Sequence, residues 1–204
     1  MKLNALLFFL LCSQSISWAQ ASRPGRNLNI SGGASGKNDP SDITYRLEPI
    51  AGFETVYRNT PTPHTSTRSI YGARLVAGAT WLSAEAEYTK GQDTENYNST
   101  PESVVNKDDK YKLGIRSTKN IGSIFFATLR LGGQATEHTS ETTALGVTTI
   151  QKDPITYAPY AGVMLGIHLG SKINLAAGST MVFKDNKDFS KNDVQNTLSI
   201  SLGI

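Results

Sequence analysis

The chain has 204 residues, 38% of them hydrophobic and 8% aromatic, with a net charge of +3 and a mean hydropathy of −0.28. These values exclude a helical membrane protein, because no apolar run beyond the N-terminus approaches the roughly 20 residues that a spanning helix needs. They predict a single domain and give no case for a nucleic-acid partner, since there is neither a basic stripe nor a nucleic-acid motif.

Residues 1–21 read as an export signal. Lys2 supplies the positive end, Ala5–Cys12 the apolar centre and Ala19-Gln20-Ala21 a small-x-small cleavage site. Cys12 is the chain's one cysteine, so the exported protein is expected to carry no disulfide and no thiolate chemistry. Ser22–Ser41, rich in Gly, Ser, Asn and Pro and without a period, reads as a flexible N-terminal arm. The remaining span, 42–204, is expected to form the one folded domain.

A first strand is predicted from Tyr45 to about Arg58. One face carries Tyr45, Leu47, Pro49, Ala51, Phe53 and Tyr57, the other Arg46, Glu48, Glu54 and Arg58. Pro49 cannot donate to a ladder and is expected near a barrel rim. A polar loop, Asn59–Arg68, follows. The stretch from Ile70 to Lys90 then shows the clearest alternation in the chain. Leu82, Ala84, Ala86 and Tyr88 are apolar while Ser83, Glu85, Glu87 and Thr89 are polar, and Tyr71, Ala73, Leu75 and Ala77 oppose Arg74. Period two means strands with one face in an apolar medium, here a hairpin turning around Ala77–Trp81.

Gly91–Asp109 is predicted as a polar loop and Lys110–Thr118 as the fourth strand, with Lys112 and Arg116 on its polar face. A tight turn at Lys119-Asn120, helped by Gly122, leads to a fifth strand, Ile121–Gly133, which sets Arg130 against Leu129 and Leu131. Ile124 and Phe126 interrupt its polar face and suggest an apolar layer inside or a bulge. Gln134–Pro154 is a second long polar loop. Strands then follow at Ile155–Leu169, Lys172–Lys184 and Asp193–Ile204, with a polar loop at Asp185–Lys191. The eight strands alternate long and short connections, as outer-membrane barrels alternate extracellular loops with periplasmic turns.

On these features the chain resembles the small eight-stranded outer-membrane barrels of the outer membrane protein A/X-like superfamily, over roughly Tyr45–Ile204. The resemblance implies an all-β, antiparallel, up-and-down transmembrane barrel in the outer membrane of a Gram-negative bacterium. It implies lipid and lipopolysaccharide as surroundings, insertion by the barrel-assembly machinery and a monomeric state. The family commonly ends on an aromatic residue that serves the assembly signal; this chain has Ile204 there.

In such a barrel the polar faces line the lumen. The expected lumen charges are Arg46, Glu48, Glu54, Arg58, Arg74, Glu85, Glu87, Lys112, Arg116 and Arg130. Eight strands enclose a space about wide enough for their own side chains, so these charges should pair and plug it; a narrow ion path through rearranging pairs is the alternative. Tyr57, Tyr71, Tyr88, Tyr111, Tyr157 and Phe183 at the loop end, with Tyr45 and Trp81 at the turn end, are the expected interfacial girdles. No enzyme is expected: His64 and His138 fall in predicted loops and His168 near a periplasmic turn, whereas a lipid-modifying site needs a nucleophile, His and carboxylate together. No cofactor or metal spacing is present. Asp93, Glu95, Glu102, Asp108 and Asp109 are expected as a solvated acidic loop rather than a divalent-ion site. Acting through the two longest loops, the chain could alternatively serve as an adhesion or recognition protein.

Overall fold

A computed structural model describes residues 43–58, 63–79, 81–96, 103–170, 172–185 and 188–203. The expected signal segment, N-terminal arm, Glu102 and Ile204 lie outside these residues. The described residues form nine strands: β1 Thr44–Arg58, β2 His64–Ala79, β3 Leu82–Asn96, β4 Ser103–Ile121, β5 Phe125–Ala144, β6 Val147–Lys152, β7 Thr156–His168, β8 Ile173–Val182 and β9 Asp193–Gly203. Eight of them close a ring in the order β1-β2-β3-β4-β5-β7-β8-β9, and β9 pairs back onto β1. Every neighbouring pair is antiparallel. Closure leaves no unpaired ladder within the wall, the condition for strands to cross hydrocarbon.

Side-chain direction follows the alternation. Leu75, Leu113, Leu129, Leu131, Val163, Leu165 and Leu198 are exposed on the outer surface, while Glu48, Glu54, Arg74, Glu85, Glu87 and Arg130 are buried inside. Apolar out and charged in is the inverse of a soluble fold, and with the closed ring it makes the chain a transmembrane β-barrel. The β1–β9 register omits Glu48 and Pro49 but keeps its phase on either side. A proline with no amide proton leaves such a gap.

The stagger of the ring can be read from its pairs. From Ala51 the partners in register run through Tyr71, Lys90 and Asp109 to Glu137 on β5. In the other direction they run through Leu198, Ala177 and Leu165 to Ala127 on the same strand, ten residues away. Spread over the eight strands, this shear makes a ring of constant height slip by about 1.25 residues per strand, as tilted barrel strands require.

The predicted polar loops are the main correction. Of Asn59–Arg68, the part from His64 onward is strand. Gly91–Asp109 supplies the end of β3 and the start of β4, which stay paired out to Asn96 and Ser103. Gln134–Pro154 forms the top of β5, a turn at Leu145-Gly146 and β6, which pairs with Thr139–Ala144. Leu145 and Gly146 both have positive φ, 52° and 75°, as a two-residue hairpin turn matching the strand twist demands. The apolar stripe ends at Tyr88 and Tyr111 because the outer face leaves the lipid there. Above them it carries charge pairs: Lys90 with Asp109 at 3.8 Å, Lys107 with Glu141, and Lys152 with Glu137 at 3.7 Å. The ladder continues in water with both faces polar, so the period-two signal disappears while the strand does not.

At the other end the connections are short. Gly122, with φ 71°, opens the β4–β5 turn at Gly122–Ile124, slightly beyond the predicted Lys119-Asn120. Phe126 does point inside, where it packs with Met164 and Ala176 in a small apolar cluster and stacks on His168 at 4.9 Å between ring centres. Ile124 is exposed in the turn.

Candidate functional site in the barrel lumen

Two groups of charges fill the interior. In the lower group, nearer the turns, β2 contributes Arg74, whose Nη1 donates to Glu48 on β1 at 2.8 Å and whose Nε donates to Glu87 on β3 at 2.8 Å. Arg130 on β5 reaches across with both Nε and Nη2. It donates to Glu85 at 2.9 Å and to Glu87 at 2.6 Å. Lys112 on β4 pairs with Glu87 at 2.5 Å, and Arg116 donates to Glu48 at 2.8 Å. Three carboxylates thus face four cations, and Glu87 alone touches three of the four.

The upper group is centred on Glu54. Arg68 donates to it at 2.9 Å and 3.0 Å, Lys110 pairs with it, and Gln195 Nε2 donates to it at 2.6 Å. Arg68 also contacts Asp108 and lies 3.3 Å from Asp93, which takes a 2.7 Å hydrogen bond from Arg58. Asp193 pairs with Lys184 at 2.6 Å and lies 3.8 Å from Lys110. The Gln195 side chain bridges the groups, since its carbonyl accepts from Lys112 while its amide donates to Glu54. Removing two unlike charges from water is repaid only by close, multiply hydrogen-bonded geometry, and here each central charge has two or more partners.

Of the charges expected from sequence, Glu48, Arg74, Glu85, Glu87, Lys112, Arg116 and Arg130 converge in the lower group, whereas Glu54 and Arg58 belong to the upper. Arg46 is half-buried, opposite Val76 and Gly203 in register. The expected lumen set lacked Arg68, Asp93, Asp108, Lys110, Asp193, Gln195 and Tyr160. Arg68 and Lys110 could have been found by extending the even-numbered faces of Arg74 and Lys112 upward by parity. Asp93 and Asp108 were expected in a solvated loop; instead their side chains are only 8% and 7% exposed and face inward cations. Asp109 does sit outside, accepting from Tyr88 at 2.5 Å.

Tyr160 on β7 is 2% exposed and donates to Glu85 at 2.6 Å, with the Arg130 guanidinium 5.6 Å from its ring centre. Glu85 therefore depends on a neutral donor as well as a cation. Tyr160→Phe is expected to cost about 1–3 kcal/mol, the usual loss for a buried group deprived of its partner. Urea unfolding in lipid vesicles would measure it, and a change near zero would show that the cations Arg130 and Arg74, the latter 3.8 Å away, suffice for Glu85.

Each of the upper histidines stands beside a carboxylate. His138 contacts Asp108, and His64 lies 3.3 Å from Glu95. The nearby Ser66 hydroxyl donates to Asp93 at 3.4 Å, not to a histidine. His168 bonds Asn174 at 2.7 Å near the turns. Among the expected girdle residues, Tyr45, Tyr71, Trp81, Tyr88, Tyr111 and Tyr157 are exposed on the outer surface, and Tyr88 and Tyr111 stack at 5.3 Å. Tyr57 and Phe183 are half-buried, the former beneath the Lys191 ammonium at 5.9 Å.

The fold is similar to that of Neisserial surface protein A, with a TM-score of 0.54 at 10% identity over 79% of this chain and 98% of that one. It is also similar to Ail, the attachment invasion locus protein of Yersinia pestis, with a TM-score of 0.51 at 8% identity over 80% and 98% of the two chains. A second structure of Ail, at 7% identity and TM-score 0.51, holds the heparin analogue sucrose octasulfate. No protein-family model matches the chain, and no curated protein sequence matches it. At these identities the likeness speaks for the fold, that of the small eight-stranded outer-membrane barrels.

Proposed function

We propose that this chain is an integral outer-membrane protein with a structural role in the envelope, its lumen closed by ion pairs. The observation that carries this reading is the burial of the lumen cations. Arg68, Arg74, Lys110, Lys112 and Arg130 are at most 3% exposed, and each reaches a carboxylate from another strand. An open aqueous path would hydrate such groups. In this reading the barrel is a non-catalytic monomer that needs no cofactor, is exported by residues 1–21, is inserted by the barrel-assembly machinery, and is surrounded by phospholipid and lipopolysaccharide.

Planar-bilayer recording on refolded protein tests the closed lumen, with insertion verified by the faster migration of the unheated barrel on a gel. Silence from inserted protein is expected. Discrete current steps that Arg130→Glu abolishes would replace this reading with a narrow channel. One observation favours a second role in surface recognition. The β5–β6 hairpin rises from the charged outer belt and exposes Leu145, Val147 and Ile150 by 83%, 66% and 63%, more apolar surface than a spacer needs.

A further inference from the structure

A concave place lies on the lipid-facing wall where β1, β9, β8 and β7 run side by side. Gly52 and Phe53 of β1, Val163 and Leu165 of β7, Ala177 and Ser179 of β8, and Asn196 and Leu198 of β9 border a groove of about 600 Å³. Its floor is low because alanine and serine, Ala177 and Ser179, stand on the outer face where neighbouring rows carry Leu, Ile and Phe. Within it lie two outward-facing polar side chains, Ser179 and Asn196, directly opposite each other in register, with Phe53 beyond Asn196 and Val163 beyond Ser179. Neither side chain hydrogen-bonds to another described residue.

Height decides what can meet them. Stepping from Ala51 at constant height, with the slip of about 1.25 residues per strand, puts Asn196 and Ser179 within about two residues of Tyr71 and Tyr88. That is the upper girdle, where the acyl linkages of outer-leaflet lipid lie. Above the groove on the same outer face of β1 stands Tyr57, and the Lys191 ammonium lies over its ring at 5.9 Å. Among the described residues Lys191 has one carboxylate neighbour, Asp188 at 3.6 Å, and both side chains are over 40% exposed. From bottom to top the wall therefore offers an apolar trough, an amide with a hydroxyl, and a cation.

From this order we infer that the groove seats one molecule of lipopolysaccharide by its lipid A. An acyl chain lies along Ala177, Leu165 and Leu198, the amide linkage of that chain meets Asn196 and Ser179, and a glucosamine phosphate meets Lys191. A carboxamide both donates and accepts. The amide-linked hydroxyacyl groups of lipid A satisfy both halves, whereas glycerophospholipid esters only accept and leave the Asn196 carbonyl unpaired. A second copy of the chain fits less well, because two concave grooves facing across a two-fold axis enclose a void. The inference rests on the outer-membrane reading.

The test is native mass spectrometry of the full chain, folded in detergent and offered lipid A and phosphatidylglycerol in competition. The unheated gel shift reports folding separately, so failure of the barrel reading and failure of this site are distinguishable. The expected result is a single lipid A adduct that phosphatidylglycerol does not displace. Asn196→Leu should weaken it about three- to twentyfold, the range of hydrogen bonds within membranes. Filling the trough with Ala177→Phe should weaken it similarly, and Leu113→Phe on the opposite wall should not. Equal retention of the two lipids, an undiminished adduct in folded Asn196→Leu, or a dimer in place of the adduct would overturn the assignment.

Discussion

Glu87→Gln is expected to remove about 3–5 kcal/mol of stability, the cost of breaking a buried ion pair from one side. Glu87 holds Arg74 at 2.7 Å, Lys112 at 2.5 Å and Arg130 at 2.6 Å, in a group where cations already outnumber carboxylates by four to three. Neutralising it leaves two carboxylates against four buried cations. The amide keeps the volume, so the loss reports charge rather than packing. Urea unfolding in vesicles, read by the unheated gel band, supplies the measurement. As control, Glu137→Gln removes the outer pair with the exposed Lys152 and should change stability by less than about 1 kcal/mol. A cost for Glu87→Gln no greater than that of the control would mean that the lower group is hydrated, and the closed lumen would fall with it.

The second large effect is expected at Gly72. This residue faces inward on β2 between Ile70 and Arg74. A Cβ built there overlaps the Tyr88 carbonyl oxygen of β3 and comes within 2.8 Å of Thr89 Cα. These are backbone atoms of a paired strand and cannot swing aside. A small barrel curves sharply, and glycine at an inward position lets two strands close in. Gly72→Val should therefore abolish the folded band, while Gly133→Val, where an added Cβ meets nothing within 4 Å, should fold like the parent. Folded Gly72→Val at parental yield would show that the wall can relax at this point.

How much of this was legible in advance depended on where a residue sat relative to lipid. Between the girdles one face of each strand must be apolar and the other need not be. Alternation therefore placed Leu113, Lys112, Leu129 and Arg130 on the correct sides without any knowledge of their partners. Above Tyr88 and Tyr111 that constraint lapses. Thr139, Thr142, Thr143, Thr148 and Thr149 form paired strand, yet by hydropathy they look like loop. Their threonine content, a β-favouring composition, was the signal available and was outweighed by polarity. The same lapse hid Arg68, Asp93 and Asp108.

By itself the sequence determined the all-β class, the eight wall strands, their inward and outward faces and the identity of most lumen charges, because all of these follow from a period of two against an apolar medium. The partners were decided only by the tertiary structure. Glu54 meets Lys110 across 56 positions, Glu85 meets Tyr160 across 75, and Gln195 reaches Glu54 across 141. Such meetings depend on ring closure and on a stagger of ten residues, a sum of small register choices around eight strands that no local pattern encodes. The groove at Asn196 has the same origin. Its rim comes from four strands, two of them at opposite ends of the barrel sequence, and it exists only once β9 has closed against β1.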